Sequence, residues 1–206
     1  QRAIPAAMTK NESHSEVPQR RLMHRRSVEC EGYLRADGLW EVEARLVDIK
    51  PFSTHDRFRG TLEAGDPVHD IGARLAVDDT LTIREAKAVM RATPYPTCIE
   101  VEPILQRLVG ERIGKGWREL LRSKIGRLET CTHLMELLGP AVTTLFQTMS
   151  YGKTPEGRDT HDQERAAGEL PFFINGCHSW RTDGPIVAEI FPQFSTRRRA
   201  TAESPE

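Results

Sequence analysis

The densest group of reactive side chains in the chain is Thr130-Cys131-Thr132-His133-Leu134-Met135-Glu136. If Thr130 or Thr132 caps a helix, Cys131 falls at its N-terminus, where unpaired N–H groups and the helix dipole favour a thiolate. His133 and Glu136 then share a helix face, so the carboxylate is placed to fix the imidazole tautomer. This is a nucleophile or metal ligand beside an acid–base group. The same residues also read as a small buried cysteine, a core histidine and a solvated glutamate.

His69-Asp70 is a second candidate. Adjacent strand residues face opposite sides, so only one of the two looks into a cleft. His69 suits a general base oriented by Asp48 or Glu43, against the plainer reading of a surface histidine in a turn. Arg35, Asp37 and Lys50 fall at hairpin ends, where they are suited to hold a substrate carboxylate or carbonyl, or to do ordinary turn chemistry. Zinc or an iron–sulfur cluster on Cys131 and His133 would be completed by Cys98, or by Cys177 and His178, although no pair has the Cys-x-x-Cys spacing. Arg20, Arg21, Arg25 and Arg26 form a basic run short enough to be read as a solvated segment. Gly110 to Gly116 follow a helical pattern rather than a strand, so no phosphate or dinucleotide loop is present, and no serine nucleophile elbow is found.

The elements that must position these groups follow from periodicity. Val28 to Lys50 reads as a β-hairpin turning at Ala36-Asp37-Gly38, with Trp40, Val42, Ala44 and Leu46 on one face and Glu41, Glu43 and Arg45 on the other. Val68–Val77 and Leu81–Val89 flank the turn Asp78-Asp79-Thr80, which makes a second hairpin. Between the hairpins lies a polar loop around His55 to Gly60. Pro94-Tyr95-Pro96 breaks the sheet. Helical spacing follows at Ile104, Leu105, Leu108 and Val109, then at Trp117, Leu120, Leu121 and Ile125 up to Gly126, and most strongly from Cys131 to Met149. Pro140 is allowed there as a kink or a new first turn. Residues 151–170 read as a charged loop, and Ile186–Phe191 closes the folded part. Sheet first and helices second predicts α+β: an antiparallel sheet of two hairpins followed by a helical layer. The expected organisation is a disordered tail over 1–22, a single domain over 23–196 and a disordered tail over 197–206.

Composition narrows the classes. The 206 residues carry 29 Lys and Arg against 30 Asp and Glu, a net charge of -1, which argues against a dedicated nucleic-acid binder. No apolar run is long enough to cross a membrane, and QRAIPAAMTK has no apolar leader core, so a cytoplasmic protein is expected. Four scattered cysteines fit reduced thiols rather than a disulfide framework.

A resemblance is carried by HRRSVECEGYLRADGLWEVEARLVDIK, GDPVHDIGARLAVDDTLTIREAKAV, PYPTC, LVGERIGKGW, CTHLMELL, TTLFQ and CHSWRTDGPIV. In order and spacing, over about residues 24–190, the chain resembles a bacterial domain-of-unknown-function family whose members show RDDGLW, LxDxK, PxHDM, LVGxxIGxGW and GCTHLxEL series. The resemblance carries over His24, Arg35, Asp37, Glu43, Asp48, Lys50, His69, Asp70, Cys98, Cys131, His133, Glu136, Gln147, Cys177 and His178. It shifts Cys131 and His133 towards function and adds Gln147 to the substrate-binding set. Arg45 stands where a small residue is expected and Thr130 where glycine is expected, which leaves the polar set intact. In architecture the chain is also faintly similar to iron–sulfur scaffold proteins, which implies Cys98, Cys131 and His133 as ligands.

The leading expectation is a small-molecule enzyme of lyase, isomerase or hydrolase type, working by acid–base chemistry without a nucleotide cofactor. His69, His133, Cys131, Glu136 and Asp48 would be its catalytic groups, and Arg35, Lys50, Asp37 and Gln147 would bind substrate. The alternatives are a zinc or iron–sulfur carrier on Cys98, Cys131, His133 and Cys177, and a partner-binding domain without catalysis. The expected partner is a small molecule, with no nucleic acid or membrane, and a homodimer is allowed.

Overall fold

Alternation along β2 (Trp40–Ile49) is the organising feature: Trp40, Val42, Ala44, Leu46 and Asp48 are buried, and the residues between them are more exposed. The computed structural model describes residues 19–126, 128–150, 152–153, 168, 170–171 and 173–197. In it β2 pairs with β1 (Arg25–Leu34) on one side and β5 (Pro67–Val77) on the other, and β5 pairs with β6 (Ile83–Ala92). All pairings are antiparallel, in the order β1-β2-β5-β6. The sheet is the one the two hairpins predict, and the fold is α+β. The first turn closes through Gly38 at φ 86°, with the Arg35 N–H donating to the Leu39 carbonyl at 2.9 Å. Glycine tolerates this left-handed conformation.

The elements differ from the expectation in places. β1 begins at Arg25, three residues ahead of Val28, because Arg25, Arg26 and Ser27 pair with Ile49, Asp48 and Val47. β6 starts at Ile83, since Leu81 has φ 65° and completes the preceding turn. The polar loop between the hairpins holds its own ribbon, β3 (Thr54–Asp56) with β4 (Gly60–Leu62).

One face of the sheet is covered by helices. Pro96–Leu108 forms 3₁₀ turns, with Pro96 in the first turn, and buries Ile104, Leu105 and Leu108 against β6. The break expected at Pro94–Pro96 is therefore the start of a covering element. α1 (Trp117–Lys124) is short. α2 (Thr132–Met149) lies across β2, β1 and β5, burying Leu134, Leu137, Leu138, Ala141, Val142 and Leu145. That is the i, i+3, i+4, i+7 stripe of a core-facing helix, and each buried leucine contributes about 2–3 kcal/mol of transfer free energy. The helix continues through Pro140. Its last turn meets β1 at Gly32, where the side chain of Thr148 occupies the space a β-carbon would need.

A second apolar cluster, Ile174, Val187 and Phe191 with Trp180 and Phe194 packed on it, surrounds α3 (Pro185–Ile190). The span expected as a single domain thus contains two apolar clusters among the described residues. Of the expected tails, 1–18 and 198–206 lie outside the described residues, as does most of the 151–170 loop. Residues 19–22 are exposed, and the Arg21 guanidinium lies over the Phe52 ring at 5.4 Å. No helix among the described residues is long and apolar enough to cross a membrane.

Candidate active site

Strand register builds the site. Asp48 pairs with Arg26 on β1 and with His69 on β5, so three polar residues form a row across three strands on the helix-covered face. α2 sets His133 above the row from its first turn. His24, just ahead of β1, completes the group.

Asp48 is the hub. It is 1% exposed at the end of an otherwise apolar column, and each oxygen is engaged. Oδ1 accepts from Arg26 Nε at 2.8 Å and lies 3.0 Å from His24 Nε2. Oδ2 accepts from Arg26 Nη2 at 2.8 Å and lies 3.1 Å from His69 Nδ1 and 3.7 Å from His133 Nε2. Burial by itself would raise the carboxyl pKa, but the Arg26 fork, helped by His24, outweighs it and holds the group at about 2. Asp48 is therefore a fixed anion at neutral pH. For His69 burial dominates: together with the neighbouring His133 it lowers the imidazole pKa against the pull of Asp48.

The two imidazoles approach each other from β5 and α2, with ring centroids 3.9 Å apart and planes tilted by 36°. His133 Nδ1 lies 3.6 Å from Cys131 Sγ. His69, His133, Cys131, Cys98, Thr130 and Tyr95 are among the residues that line a cavity of about 560 Å³. That size falls in the usual range for small-molecule sites, about 300–1,000 Å³. Thr130 Oγ1 is buried without a hydrogen-bond partner among the described residues.

Several sequence expectations find a definite place. Asp48 meets His69, whereas Glu43 lies on the other, exposed face of β2. Asp70, facing away from His69, is gripped by Arg45 through two bonds of 2.8 and 2.7 Å. Cys131 does stand at the N-terminus of α2, but neither threonine caps the helix: Cys131 is itself the N-cap residue, with no side-chain cap bond. Glu136 turns to Arg26 Nη1 at 2.6 Å, so the carboxylate nearest His133 is Asp48 and not the helix neighbour. Arg35, Asp37 and Lys50 do not converge. Arg35 pairs with Asp37, Glu41 and Glu85 at one end of β2, while Lys50 follows its other end. Ten residues of strand span about 33 Å, too far for one small substrate. Gln147 is exposed in the last turn of α2, about 21 Å of helix from His133.

For metal ligation, Cys98 and Cys131 share the cavity with His133, while Cys177 is exposed near the second apolar cluster. Among the described residues, the group of three histidine, cysteine or acidic residues whose ligand atoms close within 4.8 Å of one another is Asp48, His69 and His133. The cysteine-based set is not assembled in that way.

Sequence reasoning missed Arg26 and left His24 without a role. A strand begun at His24 would have signalled both, since His24, Arg26, Val28, Cys30 and Gly32 alternate onto one face.

No curated protein and no solved structure shows a significant match to the chain. Residues 24–147 match the family described as "Protein of unknown function (DUF2889)", which takes in the four-stranded sheet, the Asp48 row and nearly all of α2, and the chain belongs to that family.

Proposed function

We propose that the chain is a small-molecule enzyme of lyase, isomerase or hydrolase type, moving protons on a substrate held in the cavity beside Asp48, His69 and His133, without a nucleotide cofactor. The observation that carries this reading is His69: its Nδ1 is held by a buried carboxylate while the same ring lines the cavity. With Nδ1 engaged, Nε2 is the nitrogen left for a substrate proton, the division of labour an oriented general base requires. His133 beside Cys131 supplies a second proton-transfer pair, and the unpartnered Thr130 hydroxyl supplies a hydrogen bond for a polar substrate. A buried aspartate serving only packing would be served better by an apolar residue of similar volume. The four cysteines are unpaired, which favours a reducing compartment such as the cytoplasm.

The test is a library of small hydroxy acids, oxo acids and esters incubated with the protein in D₂O and followed by NMR for turnover or deuterium uptake. For any compound transformed, His69→Gln should slow the reaction by at least about 10²-fold with an unchanged melting temperature. Turnover that survives both His69→Gln and His133→Gln at the wild-type rate refutes the assignment.

A further inference from the structure

We infer that Asp48 Oδ2, His69 Nδ1 and His133 Nε2 bind one divalent transition-metal ion, with a remaining coordination position open to the cavity. The inference deepens the reading above by giving the same site a metal.

Three observations carry it. One ligand atom from each of Asp48, His69 and His133 lies within 4.8 Å of the others, and Asp48 Oδ2 is 3.1 Å from His69 Nδ1 and 3.7 Å from His133 Nε2. An ion about 2.0–2.1 Å from each of its ligands at tetrahedral angles sets neighbouring ligand atoms about 3.4 Å apart. The separation of 3.7 Å from His133 is too long for a hydrogen bond but close to a coordination edge. Next, two imidazoles from separate elements converge over one carboxylate oxygen, and a shared cation gives both nitrogens a partner. Donation of His133 Nδ1–H to Cys131 Sγ, 3.6 Å away, leaves Nε2 with the lone pair that a metal takes. Last, the opposite oxygen of Asp48 is fixed by His24 and Arg26, the outer-shell support that orients a ligating carboxylate.

Arg26 also donates to Oδ2, which places a cation beside the site. Glu136 lies 2.6 Å from the same guanidinium, so Asp48, Arg26 and Glu136 together carry one net negative charge. A carboxylate oxygen has two lone-pair directions, so Oδ2 can serve Arg26 with one and the ion with the other once the His69 proton has moved to Nε2. Two imidazoles and a carboxylate favour zinc, cobalt or ferrous iron over calcium or magnesium. Three protein ligands with an open position is the arrangement of catalytic rather than structural zinc. With the ion bound, the imidazoles act as ligands, and the proton-transfer group is water polarised at the open position.

The test uses full-length protein stripped with a chelator and titrated with Co²⁺ and Zn²⁺ by calorimetry and visible absorption. The expected result is one Co²⁺ per chain with the absorption of a low-coordinate nitrogen and oxygen site, displaced by Zn²⁺. His133→Gln and His69→Gln should each weaken binding by at least about tenfold, while Cys98→Ser changes it by less than about threefold. Circular-dichroism melts confirm that each variant is folded. Absence of stoichiometric binding, binding indifferent to both histidine substitutions, or binding lost in the Cys98→Ser variant overturns the inference. Binding is read without substrate, so its failure leaves the acid–base reading standing. Turnover indifferent to His69→Gln ends that reading whatever the metal does.

Discussion

Asp48 on β2 and His69 on β5 are direct cross-strand partners, with Oδ2 and Nδ1 3.1 Å apart on the face that α2 covers. Arg26 stands opposite Asp48 on the other side, so the site is built by the register of three strands rather than by loops. A slip of one residue in any one of the three strands would turn its member of the row to the opposite face, which ties the chemistry to the hairpins themselves.

Replacing Asp48 by alanine removes the acceptor of both Arg26 bonds and leaves His24 and His69 without their carboxylate. Breaking a buried, hydrogen-bonded charge pair costs about 3–5 kcal/mol, and the partial exposure of Arg26 lowers the expectation here to about 2–4 kcal/mol. Urea unfolding followed by fluorescence measures it. A loss under about 0.5 kcal/mol would mean that the hub does not hold the three strands together.

The two ion pairs of Arg26 should be unequal. Its pair with Asp48 joins a guanidinium one-third exposed to a buried carboxylate, whereas Glu136 is 60% exposed. Exposed pairs contribute about 0–1 kcal/mol, so Glu136→Ala should cost less than about 1 kcal/mol and Arg26→Ala about 1–3 kcal/mol. Equal losses in denaturant midpoints would show that the Asp48 contact is not the stronger of the two. Glu136→Ala should also leave turnover near the wild-type rate, since its carboxylate serves Arg26 rather than His133.

Much of this was legible in the sequence. The run Trp40, Val42, Ala44, Leu46 gave the buried face of β2, and one further step of two lands on Asp48, a charge in a core column. His69 and Asp70 could be assigned to opposite faces for the same reason. Other features depended on tertiary partners. Arg26 looked like part of a solvated basic run, because β1 has almost no burial contrast and its register is visible only through β2. Glu136 has the spacing of a helix partner for His133, yet it turns to Arg26, a residue 110 positions away whose position local periodicity does not encode. Arg35 and Lys50 looked like neighbours because both flank strand ends, and they flank opposite ends.

The contact between β1 and α2 should be sterically tight at Gly32. A β-carbon built there would fall 2.7 Å from Thr148 Cβ, and closer still to its hydroxyl. Gly32→Ala should therefore cost about 1–3 kcal/mol by overpacking. Thr148→Gly opens the space, so the Gly32→Ala/Thr148→Gly double variant should lie within about 1 kcal/mol of Thr148→Gly alone. Additive losses in the denaturation cycle would place the cost of Gly32→Ala elsewhere, for example in the edge pairing of β1.

Acid stability should depend on Asp78, which closes the turn between β5 and β6. Its Oδ1 accepts from the Thr80 hydroxyl at 2.6 Å and from the backbone N–H groups of Thr80 and Thr82 at 2.9 and 3.0 Å, and its Oδ2 accepts from Arg84 Nε at 2.8 Å. The Thr80 hydroxyl first, and then the backbone amides and Arg84, hold the carboxyl well below the usual range against a smaller opposing effect of burial. A carboxyl pKa depressed in the folded state stabilises the fold fully above the unfolded value, about 3.9, and loses that contribution as pH falls through the folded value. Asp78→Asn keeps an oxygen for the two amides but loses the ionised partner of Arg84. The variant should therefore melt below the wild type at about pH 7, and the gap should narrow steadily towards about pH 3 and below as the wild-type carboxylate takes up its proton. Melting curves for the two proteins that stay parallel over this range would show that the turn owes its stability to hydrogen bonding alone, with no contribution from the charge of Asp78.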